Sequence, residues 1–98
     1  MGQAAQAERS WSRLVYGCEA IGVRDAWYAN TGNGFYFGPQ FTPGTWHANG
    51  GGPVREMGDR NGLPMHSYSI SYIIGVAERT YRSQGPYAWP WCHSHGYI

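Results

Sequence analysis

Only two stretches of this 98-residue chain carry a long helical apolar period. In the first, Trp11, Leu14, Val15 and Cys18 fall at i, i+3, i+4 and i+7, a single stripe. Ala4, Ala5, Ala7 and Glu8 precede it and are good helix formers. The pattern predicts a helix over about residues 3–17 that ends near Cys18-Glu19. In the second, Ile70, Ile73, Ala77 and Tyr81 form the stripe, with Tyr72 and Val76 beside it. Ser67 or Ser69 supplies its cap and Gly85-Pro86 its stop. Gly75 inside that helix implies close approach of another element.

Glycine punctuates what lies between. Residues 22–41 have no helical period, and Asn30-Thr31-Gly32-Asn33-Gly34-Phe35-Tyr36 carries turn chemistry at Thr31-Gly32 and Asn33-Gly34. Phe35, Tyr36 and Phe37 flank that turn, which predicts a short β-hairpin. Thr42-Pro43-Gly44-Thr45-Trp46 reads as a helix start, a capping hydroxyl followed by Pro at the first helical position. Asn49 to Pro53 ends that short helix, residues 54–64 read as a surface loop, and Tyr87 to Cys92 read as an extended aromatic tail. No repeat and no linker interrupts the chain. The expectation is a single domain over 1–98, of α+β class but mainly α, with one small β-hairpin.

Composition narrows the function. Net charge is +1, charged residues make up 13% against roughly 25% in an average domain, and no Lys/Arg cluster accompanies the aromatics. Nucleic acid and anionic membrane are therefore not expected partners, and no apolar run is long enough to span a bilayer. Aromatics reach 16% of the chain. Flat amphipathic rings in a groove suit sugars, whose C–H faces are apolar and whose edges are polar. The two cysteines, Cys18 and Cys92, fit no metal spacing and form no C-x-x-C. They are either a long-range staple or two buried thiols. His93-Ser94-His95 is read as tail polarity, G-x-S-x-G is absent, and Gly32-Asn33-Gly34 lacks the strand and helix of a dinucleotide loop. No metal and no cofactor is called for.

Among six carboxylates, Glu19 differs from the rest. It follows a buried stripe at a helix C-terminus, where the helix dipole and nearby aromatics both oppose ionisation. A carboxyl so placed suits a general acid. Asp25, the only other acid close in sequence, is either a loop residue or a water-orienting base. Glu8 and Glu78 read as solvated helix-face residues, the latter near Arg82 at i+4.

Taken in order, Trp11, Cys18-Glu19, Trp27, Asn30 to Tyr36, Gly38, Gln40-Phe41-Thr42, Thr45-Trp46 and Asn49-Gly50-Gly51 make a recognisable series. Val76-Ala77-Glu78-Arg79, Gln84-Gly85 and Ala88-Trp89-Pro90-Trp91-Cys92 complete it. In this series the chain resembles the resuscitation-promoting factor, or transglycosylase-like, domain of actinobacteria over nearly its whole length. The resemblance implies a reduced lysozyme-like fold, a Cys18–Cys92 disulfide and Glu19 as the catalytic acid. It implies sugar contacts from Thr45 and Gln84, and from Asn30, Tyr36 and Gln40, with Trp46 and Trp89 in the core. It implies cleavage of the β-1,4 bond between N-acetylmuramic acid and N-acetylglucosamine in peptidoglycan, by a monomer outside the cell at the wall. A glycan-binding module that does not cut is the alternative, as is a wall-degrading phage virion or lysis component. A wall endopeptidase or a phage structural protein is the partner class this leaves open, and no export route is visible. The chain departs from the family pattern in Glu19-Ala20-Ile21-Gly22-Val23-Arg24-Asp25, in Phe37 where Gly is common, in Pro39 where an aliphatic residue is common, and in an expanded loop over 53–66.

Overall fold

A computed structural model describes residues 10–98 of the protein, and in them four main helical segments, short 3-10 turns and a network of aromatic rings make up the fold. The anticipated first turns of the first helix, with Glu8, lie outside the described residues. From residue 10 the first helix, α1, runs as α-helix to 14 and continues as a π turn, Val15–Glu19. It buries Trp11, Leu14 and Val15, the apolar stripe of the sequence. Helix α2, Pro43–Ala48, starts as its residues dictate: the Thr42 hydroxyl accepts from the Thr45 N–H and Pro43 sits at the first position. Helix α3, Ile70–Gln84, is capped by Ser69, whose hydroxyl accepts from the Tyr72 N–H, and it stops at Gly85.

The inward face of α3 is Ile73, Ile74, Val76, Ala77 and Thr80. Tyr81, expected inside, is 39% exposed and Thr80 takes the interior position. Thr80 can be buried because its hydroxyl donates to the Val76 carbonyl one turn back, at 2.8 Å. Among the described residues Gly75 has no close neighbour beyond the Arg79 side chain, so none of them makes the close helix contact expected there.

The β element is smaller and later than the turn chemistry suggested. Tyr36 and Phe41 exchange both backbone hydrogen bonds at 2.8 Å, a single antiparallel pair closed by residues 37–40. The turn therefore falls at 37–40, and Thr31 to Gly34 lie in the approach to it. Phe37 and Gly38 donate back to the carbonyls of Ala29 and Trp27, which ties this turn to the preceding segment.

Phe37 explains one departure from the family pattern. Its φ is 66°, in the left-handed region that favours glycine. Its side chain is nonetheless fully buried and stacks on Trp46, with ring centroids 4.4 Å apart. Trp46 is the hub of this cluster: Phe41, Tyr68 and Tyr72 surround it, and its indole N–H donates to the Gly52 carbonyl at 2.8 Å. The chain passes so close to the ring at Gly51 that any side chain there would run into it. A second cluster joins α1 to the rest. Trp11 packs edge-on against Trp89, and Trp89 donates to the Pro39 carbonyl. Trp11 donates to Glu78, so Glu78 is an anchor for α1 rather than a solvated surface acid.

The loop over 54–64 is ordered by its own carboxylates. Asp59 accepts from the Val54 N–H and meets His47, while Glu56 accepts from the Met65 N–H. The Val54 N–H holds the Asp59 carboxyl below its ordinary range, against partial desolvation and with help from His47. The tail is not extended. After a 3-10 turn over Gly85–Ala88, Pro90 opens helix α4, Pro90–Ser94, and Cys92 within it is bonded to Cys18. A second isolated bridge, parallel, pairs Val54 with Leu63 across the loop over 54–64. The described fold is thus mainly helical with little strand and one long-range disulfide, as expected.

Two predictions follow for stability. The disulfide closes a loop over a separation of 74 residues and stabilises the fold by about 4–5 kcal/mol in the chain-entropy account. Reduction should therefore lower the melting temperature by about 10 °C or more, and an unchanged melt in strong reductant would contradict this. At Phe37, truncation forfeits about 3–5 kcal/mol of aromatic packing, but only glycine also relieves about 1–2 kcal/mol of backbone strain. Phe37→Gly should match or exceed Phe37→Ala in thermal stability, the reverse of their usual order.

Candidate active site

The π turn at the end of α1 is where the candidate chemistry begins. Ala20 N–H donates to the Val15 carbonyl, five residues back, at 2.8 Å. The wider turn re-registers the side chains that follow it, and such turns recur at functional sites. Here Cys18 is bonded to Cys92 of α4, and Glu19 lines an open cleft of about 430 Å³ beside it.

The Glu19 carboxyl is half-buried, and burial pushes it up from its ordinary value. The sequence gives the helix terminus a share in this effect, but the cause resolved in the structure is loss of solvent. Glu19 Oε1 also lies 3.0 Å from Cys92 Sγ. That sulfur belongs to a disulfide and has no proton to donate. The contact is therefore not a hydrogen bond from sulfur, and burial is the cause that raises the carboxyl. Cys18, Glu19 and Cys92 bring three potential ligand atoms together, but with both sulfurs consumed in the disulfide no thiolate remains to bind a metal.

The cleft has two arms. Glu19, Asn33, Pro90 and Trp91 belong to the larger one. Thr42, Thr45, Thr80 and Gln84 line a narrower arm of about 100 Å³. Phe35, Gln40, Ala88 and Trp89 border both. Of the residues expected to contact sugar, Gln40, Thr45 and Gln84 come together with Glu19 along this cleft. Gln40 is held in place by its side-chain N–H to the Phe37 carbonyl, and the Thr45 hydroxyl accepts from that of Thr42. Asn30 is exposed and Tyr36 is half-buried in the β pair, and neither lines the two arms. Asp25 also stands outside them, with a left-handed backbone and a 2.7 Å contact to His66. Among the described residues Glu19 is thus the one carboxylate in the lining of either arm. A depression of about 400 Å³ between α1 and the C-terminal residues is of similar size, but its carboxylate, Glu78, is engaged by Trp11.

Asn33 and Phe35 belong to the glycine-rich, aromatic segment Asn30 to Tyr36, whose composition suits a polysaccharide groove, and both line the cleft. Sequence reasoning missed Trp91 as a cleft residue. Trp91 was placed in an extended tail, although Pro90 at a helix N1 position was the available signal for α4.

The profile of the transglycosylase-like domain matches residues 4–92. The chain belongs to this family. It is 43% identical over 87 residues to resuscitation-promoting factor RpfE of Mycobacterium tuberculosis, covering 89% of this chain and 42% of that protein. It is 42% identical over 86 residues to Rpf2 of Corynebacterium glutamicum, covering 88% of this chain and 20% of that one. With Rpf of Micrococcus luteus it shares 42% identity over 90 residues, 92% of this chain and 34% of that one. The chain therefore spans less than half the length of these relatives. Among the described residues no helix is long and apolar enough to cross a membrane.

The raised Glu19 carboxyl has a consequence for folding. In the unfolded chain Glu19 ionises near its ordinary value, while the folded protein holds the proton to higher pH. The stability this contributes is present below the unfolded value and is lost as pH rises through the folded one. Glu19→Gln, which cannot ionise, should melt higher than the parent at pH 8. The difference should close below about pH 4. A parent that is the more stable of the two at pH 8 would contradict this account of the site.

Proposed function

We propose that this domain cleaves the glycan strand of peptidoglycan at the β-1,4 bond between N-acetylmuramic acid and N-acetylglucosamine, with Glu19 as the sole protein acid. What supports this most is the Glu19 carboxyl itself: half-buried, pressed on a disulfide, and open to a cleft on its other side. Family membership supports the same reading. The substrate would place the domain at the cell wall.

In this mechanism the protonated Glu19 donates to the glycosidic oxygen as the C–O bond breaks. Among the described residues no second carboxylate lines the cleft to carry the positive charge left on the sugar. The N-acetyl oxygen of the same sugar can do so, as in substrate-assisted glycosidases. Glu19, now a carboxylate, removes a proton from the attacking hydroxyl. If that is the C6 hydroxyl of the muramic acid, a 1,6-anhydro ring closes; if it is water, a reducing end forms. Either way the proton returns to Glu19 and the cycle is complete. Gln40, Thr45 and Gln84 supply amides and a hydroxyl for the strand's polar edges, while Asn30 and Tyr36 would act at the approach to the cleft. Asp25 is assigned no part in it.

The altered segment after Glu19 favours a second reading, a domain that binds glycan without cutting it. Release of soluble muropeptides from purified wall, followed by mass spectrometry, separates the two. The parent should release them, and Glu19→Gln should lower the rate by about 100-fold or more while retaining the fold. Full activity in Glu19→Gln would remove Glu19 from the mechanism. No release by the parent would favour the binding module.

A further inference from the structure

Tryptophan is costly to leave in water, and this chain buries four of its five. Trp11, Trp27, Trp46 and Trp89 are 0–4% exposed, while Trp91 is 59% exposed. A single exposed apolar side chain is ordinary on a protein surface; what sets this one apart is that it lines the same arm of the cleft as Glu19.

Trp91 is also held in place. The His95 ring stacks on it at 3.8 Å with an interplanar angle of 16°, covering one face. His95 Nδ1 lies 2.9 Å from the Trp91 carbonyl and 3.1 Å from Ser94 Oγ, so the stacking imidazole is itself fixed. The backbone is set by Pro90 at the start of α4 and by the disulfide at the next residue. Trp91 and Glu19 are each the chain neighbour of one of the bonded cysteines, Cys92 and Cys18. The covalent cross-link thus ties the backbone that carries the ring to the backbone that carries the acid.

We propose that Trp91, braced by His95, is the platform on which one pyranose ring of the glycan strand stacks beside Glu19. This rests on the function proposed above and adds a binding residue to it. The free face of a fixed indole matches the apolar C–H face of a hexosamine ring. The Asn33 and Gln40 amides in the same arm match its polar edge. Phe35, 41% exposed, borders both arms and adds a second apolar surface. Thr45 and Gln84 line the other arm, so the sugar on Trp91 is not the one they hold. His95 is a positioning residue: it limits the tilt of the indole without touching sugar.

The test uses the Glu19→Gln protein, so that binding is read without turnover, and tetra-N-acetylchitotetraose and purified uncrosslinked glycan as probes. As the one exposed indole among the described residues, Trp91 should dominate any ligand-induced change in tryptophan emission. Adding Trp91→Ala should abolish that change and weaken binding about 5–10-fold, Trp91→Phe should recover most of it, and His95→Ala should weaken binding about 2–3-fold. In the active protein, Trp91→Ala should raise KM with little change in kcat. Because the side chain is exposed, the melting temperature should hold. Unchanged affinity in Trp91→Ala, or Trp91→Phe no better than Ala, would overturn the platform while leaving the proposed cleavage intact. If Glu19→Gln binds neither probe and the parent releases no muropeptides, the proposed function and the platform fall together.

Discussion

The Cys18–Cys92 bond joins the end of α1 to α4, two short segments that also meet through Trp11 on Trp89 and Gly17 against the Tyr97 ring. Helix α4 has five residues, too few to persist without outside contacts. The end of α1 is a single π turn with no side-chain cap. The cross-link fixes each against the other, and it does so at the two positions next to Glu19 and Trp91. It also sets a sulfur against the Glu19 carboxyl. One covalent bond therefore serves the fold and forms part of the acid's surroundings. A pair of well-packed apolar residues at these positions would hold the segments but would not place a sulfur 3.0 Å from Glu19.

Aromatic packing does the work that a sheet would do in a larger domain. With a single antiparallel pair in the hairpin, the segment from Ala26 to Phe41 is held by rings and by a few backbone bonds around them. Phe37 shows how far this goes. A left-handed residue with a large side chain is unfavourable on its own, but the stack on Trp46 contributes more than the strain costs. The closeness of Gly51 to the same indole is the complementary adjustment: the ring occupies the space, and the passing backbone gives up its side chain.

What the sequence revealed was local. The Thr42 and Ser69 caps, Pro43 at the helix start and the Gly85 stop each depend on neighbours within a turn, and each lies where its chemistry puts it. The buried positions of Trp46 and Trp89 and the pairing of the cysteines came from resemblance, because contacts across 50 or 74 residues leave no local trace. What escaped was decided by competition between distant groups. Asn33-Gly34 has better turn chemistry than Phe37 to Gln40, yet the turn closes at the latter because Phe37 has a cavity to fill and Gln40 can bond its carbonyl. Glu78 and Arg82 have the spacing of a surface pair, but the Trp11 indole offers Glu78 a partner from outside the helix. In α4, adjacent residues point about 100° apart, so Cys92 turns inward and Trp91 outward. An extended reading of the tail hid that division.

The contrast between Glu19 and Asp25 bears on what kind of acid this cleft can hold. The two are six positions apart, and their environments diverge completely. Asp25 sits in solvent with a histidine at 2.7 Å, and the positive φ at its α-carbon directs the chain toward the Tyr28 and His66 stack. An exposed pair of this kind contributes little stability, so the contact itself is not what keeps Asp25 from the cleft; the path of the backbone is. Glu19 has the opposite surroundings: partial burial, a disulfide in contact and, among the described residues, no cation in the lining of its arm. Burial favours the neutral acid, and nothing in that lining would stabilise a carboxylate acting as nucleophile. In the proposed cleavage such an acid gives its proton and leaves the positive charge to the substrate, which suits a polymer with an N-acetyl group next to each bond to be broken better than a plain hexose polymer.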